Sequence, residues 1–270
     1  MSADGCSVPS VVEWKDKLMM MTACDDGRHR VYESADKGDS WTEALGTLSR
    51  VWFNKHKGHE RGVGSGFITA TIEERDVMLA TLPVYAKNAE KGQVNEKGVL
   101  HLWLTDNTHI ADIGSVSGDD DVAASALLYK SAGSGNNHQE ELIALYEKRK
   151  GDGEKSHSLW SVLLTAQLQR VKKVLATWKE VDDRVSKLCP ISSTAKDAST
   201  ATACSNAIPT DGLVGFLSGE FSDATWKDEY LGVNATVKNG ATTHNGVSFK
   251  GRGAGVEWPV GAQGQNQLYH

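Results

Sequence analysis

The stretch VYESADKGDSW, Val31 to Trp41, decides how this chain is read. Ser34, Asp36, Gly38, Ser40 and Trp41 stand in the spacing Ser-x-Asp-x-Gly-x-Ser-Trp, which is too ordered for an ordinary polar loop. A β-branched and aromatic pair, Val31-Tyr32, leads in, and Leu45 and Leu48 follow, so the polar cluster reads as a hairpin turn between strands. Ser34 and Asp36 can satisfy the turn's own backbone and Gly38 permits a positive φ. Trp41 is expected to swing back and plug the layer between neighbouring sheets. The motif is architecture rather than chemistry.

Outward from that turn, short apolar runs recur from Ser10 to about Leu164, among them VVEW, KLMMMTAC, SGFITATI, RDVMLATLPVYA, VLHLWLTD, ASALLYK and ELIALYEK. They are rich in Val, Ile, Tyr and Trp and are separated by Gly, Asn and Asp, and no helical period falls between them. That pattern predicts blades of a β-propeller rather than a βαβ fold. From Thr165 the period changes. Leu168, Val171, Val174, Leu175, Trp178, Val181, Val185 and Leu188 recur at three- and four-residue steps, predicting one long amphipathic helix from about 166 to 187, with Thr165 as its N-cap and Pro190 as its stop. The Ser/Thr/Ala-rich stretch after it cannot form a core, and a second strand-rich region begins at Gly212, holding only three or four strands. The expected organisation is blades over 1–164, helix over 165–188, connector over 189–211 and an incomplete sandwich over 212–270.

The 270 residues carry 29 basic and 35 acidic side chains, a net charge of -6, a pI near 5.9 and a mean hydropathy of -0.39. Neither sign is gathered into a block, which argues against nucleic acid as a partner, and no apolar run is long enough to span a membrane. MSADGCSVPS lacks the basic start and apolar middle of a secretory signal. Four cysteines, Cys6, Cys24, Cys189 and Cys204, avoid metal-binding spacing. A Cys189–Cys204 disulfide would close the low-complexity stretch into a loop, whereas Cys6 and Cys24 read equally well as paired or as free buried thiols. Asn234-Ala-Thr236 is an N-glycosylation acceptor pattern, which alone decides little.

Candidate chemistry is thin. HKGHE, His56 to Glu60, lacks the His-Glu-x-x-His order of a zinc site, and GDDD, Gly118 to Asp121, lacks a calcium ladder, so both read as charged loops and no cofactor or metal is expected. GRGAG, Gly251 to Gly255, has no helix behind it and reads as a strand connection rather than a dinucleotide loop. Tyr85 and Tyr129 sit in strand patterns and are expected to pack in the core.

The Ser34–Trp41 motif resembles the Asp box of sialidases, and VYES, SWTEALGTLSRVW, LHLWLTDN, DGLVGFLSG, EYLGVNATV and EWPVGAQGQNQLYH resemble segments of the trypanosomal trans-sialidase superfamily. The resemblance covers essentially the whole chain. It implies an all-β fold with one long helix: a partial sialidase-type β-propeller, a connecting α-helix and the start of a lectin-like (concanavalin-like) β-sandwich, with the early blades missing. Active members use a tyrosine nucleophile helped by a glutamate, and three arginines that clamp the sugar carboxylate. A phenol with a pKa near 10 needs such help at neutral pH, and a buried carboxylate needs forked, permanently charged donors.

Carried onto this chain, the resemblance puts Val8 at the helper position, Ala23 at the second arginine, Lys97 near the third, Asn95 near the acceptor-site tryptophan and Ala124 opposite the nucleophile. It therefore implies a catalytically silent surface glycoprotein, lipid-anchored at the cell surface. The partners it implies are host-cell surface or matrix proteins, glycans and antibodies. The alternative it implies is an exo-α-sialidase or trans-sialidase acting on sialoglycans.

Overall fold

The computed structural model describes residues 5–45, 47–52, 63–87, 94–132, 140–149, 157–188, 208–222, 224–243 and 246–259. These fall into two compact units that divide between Val174 and Leu175.

The first unit is built from three antiparallel sheets. One holds β1 (Cys6–Trp14), β2 (Lys17–Cys24), β3 (His29–Ser34) and β4 (Thr42–Glu43), paired in chain order. The next holds β5 (Gly66–Ile72), β6 (Arg75–Lys87), β7 (Val94–Thr105) and β8 (Ile110–Ser115), and the third holds β9 (Val122–Lys130), β10 (Glu141–Arg149) and β11 (His157–Leu163). Each is paired in chain order, and in the first two sheets tight turns set the register where Trp14↔Lys17 and Ile72↔Arg75 pair. The propeller-blade expectation holds at the level of single sheets, but three sheets do not close a ring.

Central strands are buried on both faces, as Met19, Met20, Met21, Ala23 and Cys24 of β2 illustrate. The core between the first two sheets gathers Trp14, Met19, Met21, Val31 and Leu48 with Phe67, Met78, Leu82 and Trp103. Trp52 meets Trp103 edge to face, with centroids 5.9 Å apart and planes at 68°. Trp41 does not take the plugging role expected of it. It is only half-buried, and its indole N–H turns back to donate to the Gly38 carbonyl at 3.0 Å, closing its own hairpin.

Two polar knots tie strand ends. Cys6 and Cys24, opposite one another on β1 and β2, form a disulfide, which resolves the open reading of that pair; Cys189 and Cys204 lie outside the described residues. At the far end of the second sheet the buried Asp106 carboxylate accepts from the Thr108 and His109 backbone N–H groups, the His109 ring and the Arg75 guanidinium. The GDDD turn also does more than face solvent. Asp121 accepts from the Gly98 N–H at 2.9 Å, and Asp120 pairs with Lys148 at 2.6 Å, so the turn binds β7 and β10 to the start of β9. No metal-binding cluster occurs among the described residues.

The helix α1 runs Thr165–Val185. Thr165 is its first helical residue rather than its cap, because the Leu164 carbonyl already accepts from Leu168 N–H at 2.9 Å. The helix ends two residues earlier than expected, and Ser186 and Lys187 form a turn.

The second unit contains a four-stranded sheet ordered β12 (Leu217–Ser222), β13 (Thr225–Asp228), β14 (Ala235–Lys238) and, out of chain order, β17 (Gly255–Glu257). A separate hairpin pairs β15 (Gly240–Thr243) with β16 (Gly246–Phe249), and GRGAG is the connection into β17. Among the described residues, the expected sandwich appears as these two small sheets. Buried Asp228 accepts backbone N–H bonds from Phe216, Tyr230, Leu231 and Val233, and Tyr230 packs on Val181 and Val185 of the helix while its hydroxyl donates to Asp182.

The Asp106 knot predicts a pH dependence. Burial alone would push this carboxyl up, but the His109 ring and the backbone N–H groups of His109 and Thr108 outweigh it and hold the value at about 2. A depressed carboxyl contributes stability that is fully present above its unfolded value near 4 and is lost as pH falls through the folded value, here worth about 2 kcal/mol. Urea denaturation between pH 5 and pH 2 is expected to show a loss of that size that is absent in Asp106→Asn.

Candidate functional site

The first strands of the three sheets, β1, β5 and β9, lie side by side. Near their N-terminal ends they are stitched by small hydroxyl side chains. Ser10 Oγ donates to the Ser65 carbonyl at 3.0 Å, and Ser65 Oγ shares a hydrogen bond with His29 Nε2, also at 3.0 Å. Ser125 N–H donates to the Gly64 carbonyl at 3.0 Å, and Ser125 Oγ lies 2.9 Å from Thr81 Oγ1. Gly66 is required for this approach: a Cβ there would stand 2.4 Å from Thr81 Oγ1 and 3.0 Å from the Ala126 carbonyl carbon.

The seam brings together two of the positions singled out by resemblance. Val8 packs against Gly64, whose added Cβ would lie 3.9 Å from Val8 Cγ1, and Ala124 sits on β9 beside the Ser125 that binds the Gly64 carbonyl. Val8 and Ala124 thus flank one backbone segment at one end of the inner strands. Val8 is 45% exposed and holds φ 47, within a register break between Ser7 and Ser10. A β-branched residue with positive φ is a true backbone outlier, and such outliers cluster at functional sites. Ala23 is elsewhere, buried on β2 in the row Ser7–Ala23–His29. Asn95 and Lys97 belong to β7, but their side chains lie outside the described residues.

At the opposite end of the same inner strands is a cleft of about 540 Å³ lined by Glu13, Lys15, Thr71, Asp76, Tyr129 and Ser131 with others. Tyr129 therefore does not pack in the core as expected. Its hydroxyl donates to Glu140 at 3.1 Å, and Glu140 in turn pairs with Lys172 of α1, which also reaches Glu73 at 3.2 Å. Burial first, and then the Glu140 carboxylate, push the Tyr129 phenol up to about 12. This tyrosine–carboxylate pair keeps its proton at neutral pH and is a strut between sheet and helix, the reverse of an activated nucleophile. Strand alternation shows a tyrosine at 129 but not a partner eleven residues further along the chain, just ahead of β10.

The Ser34–Trp41 turn forms as the spacing predicts. Asp36 accepts from Ser40 N–H at 2.9 Å and from the Ser40 and Ser34 hydroxyls, while Ser34 Oγ accepts from Gly38 N–H at 2.8 Å. Those bonds, the Ser40 hydroxyl first, hold the Asp36 carboxyl well below the usual carboxylate range. Gly38 takes φ 101, as the turn requires.

Residues 1–147 match the family model described as BNR repeat-like domain, and residues 209–270 match that described as Trans-sialidase, C-terminal domain. A Trypanosoma cruzi protein named Sialidase is 35% identical over 98% of this chain, and another, Sialidase 85-1.1, is 35% identical over 94%. The solved Trypanosoma rangeli sialidase in complex with the inhibitor DANA is 39% identical over 99% of this chain, with a TM-score of 0.67. The chain spans only 21%, 30% and 40% of these three relatives respectively. These findings correct the expectation that the chain is not an enzyme, because the relatives matching nearly its whole length are named sialidases.

Ultraviolet titration of the tyrosines is expected to show one phenol ionising near pH 12, absent in Tyr129→Phe. Glu140→Gln is expected to move that transition down toward 10, the ordinary value for tyrosine; a transition unmoved by Glu140→Gln would refute the strut.

Proposed function

Because the chain belongs to the BNR repeat-like family and is of the trypanosomal trans-sialidase/sialidase type, we propose that it serves an exo-α-sialidase or trans-sialidase acting on sialoglycans. The observation that carries this reading is the similarity, at 39% identity over 99% of the chain, to a sialidase solved with an inhibitor bound. The seam end of β1, β5 and β9 is the proposed sugar-facing end. Its strained, exposed Val8 and half-buried Ala124 converge there, and the glycine and serine seam holds the inner strands at fixed spacing.

Val8, Ala23 and Ala124 carry no charge and no hydrogen-bonding side-chain atom. The proposed part of Val8 and Ala124 is to shape the wall of the sugar site, while buried Ala23 packs within its own sheet; the carboxylate clamp and the nucleophile are supplied from outside the described residues. Such a division suits the chemistry: glycosyl transfer needs a few charged groups on a frame that does not move, and the stacked sheets provide that frame.

The test pairs turnover of a fluorogenic sialoside with saturation-transfer NMR on sialyllactose. Released fluorophore, together with a saturation signal from the sialic acid protons, is the expected result. Val8→Trp, which crowds the seam end, should weaken sialyllactose binding roughly tenfold, about 1.4 kcal/mol, whereas Tyr129→Phe at the opposite end should leave it unchanged. Absence of both turnover and binding would overturn the proposal, and binding without turnover would overturn its enzymatic half.

A further inference from the structure

The connection between β13 and β14 is held from within by Asp228. Its buried carboxylate gathers four backbone N–H groups, and its own N–H donates to Asn234 Oδ1 at 3.0 Å. Asn234 is therefore oriented by the fold through its amide oxygen, while the amide nitrogen is not drawn into the Asp228 knot. The residue itself is exposed. Strand alternation then buries Ala235 completely and turns Thr236 outward, so that the first and third residues of Asn234-Ala-Thr236 both face solvent. This is the only Asn-x-Ser/Thr in the 270 residues.

A second feature of the molecule points the same way. Cys6 and Cys24 are joined as a disulfide, a bond that persists in the oxidising compartments through which secreted and surface proteins pass. Attachment of N-linked sugar to Asn-x-Ser/Thr marks proteins on that same route.

We propose that Asn234 is an N-glycosylation site, its acceptor atom being Nδ2 and its donor a lipid-pyrophosphate-linked oligosaccharide. In the transfer, Nδ2 attacks the anomeric carbon of the first sugar. The bond from that carbon to the pyrophosphate oxygen breaks, and the lipid pyrophosphate leaves with the bonding pair. The new carbon–nitrogen bond forms as Nδ2 gives up one proton, and nothing is oxidised or reduced. The modified side chain keeps its amide oxygen, so the bond from Asp228 N–H survives and the sugar rises from a connection that is already fixed. A glycan here screens the turn between β13 and β14 without entering the core of the second unit.

The test is expression through the secretory pathway of a glycosylating eukaryotic host, followed by peptide mapping. Trypsin releases residues 228–238 as one peptide, because Lys227 and Lys238 bracket the motif. Treatment with peptide N-glycosidase should convert Asn234 in that peptide to aspartate and collapse the electrophoretic shift of the whole protein. Thr236→Ala should abolish the shift while leaving the Asn234–Asp228 bond and the thermal midpoint of the deglycosylated protein unchanged. Asn234→Gln should abolish the shift and also lower that midpoint. An unmodified Asn234 in secreted protein whose Cys6–Cys24 bond has formed would overturn the proposal, as would failure of that disulfide to form there.

Discussion

The constraint on which the first unit depends is that its central strands are apolar on both faces. β2 buries Met19 and Met21 toward one side and Met20 toward the other, so its sheet is stable only when both faces are covered. Burial of each such side chain contributes on the order of 2 kcal/mol, which makes an uncovered face expensive. Stacking one meander on the next answers that need. The strands that come together at the inner edge are then the first strand of each sheet, and the residues near their starts are brought to one place although they are far apart in the chain.

The polar interactions divide by position. Those in the inner seam are short hydroxyl bonds between sheets, where a longer side chain would force the strands apart and where Gly66 has no room for a Cβ at all. Those at the strand ends are carboxylates that gather backbone N–H groups: Asp36 in the hairpin, Asp106 just past β7 and Asp228 at the end of β13. The second group shares one logic. A loop that must turn without secondary structure leaves several donors unsatisfied, and one carboxylate can accept from most of them, provided it stays ionised. The seam holds the inner strands at a fixed, close spacing, while the carboxylate knots keep the connections from fraying.

Of the proposed site, the part that was legible came from resemblance and not from pattern. Val8 and Ala124 are unremarkable in a period-two reading, and only the Gly64 backbone between them shows that they share an end of the inner strands. Alternation misplaces Tyr129 because it says which face a side chain takes, not whether the next sheet covers that face. Ala23 and His29 share a row across the sheet through strand pairing, which spacing alone could not place.

The sequence by itself determined the local structure: the hairpin at Ser34–Trp41, the strand-rich pattern on either side, and a helix that the Leu168-to-Val185 period placed to within a few residues at each end. These follow from interactions between residues a few positions apart, whose physics is written in the spacing. Tertiary structure alone decided which cysteines of the described residues pair, that Trp52 and Trp103 rather than Trp41 fill the layer between sheets, and that β17 returns to sit beside β14. It also decided that Tyr129, Glu140 and Lys172 meet. Each of these contacts joins segments whose approach is fixed by how sheets stack, and stacking is set by the summed shape of two surfaces rather than by the order of residues within either one.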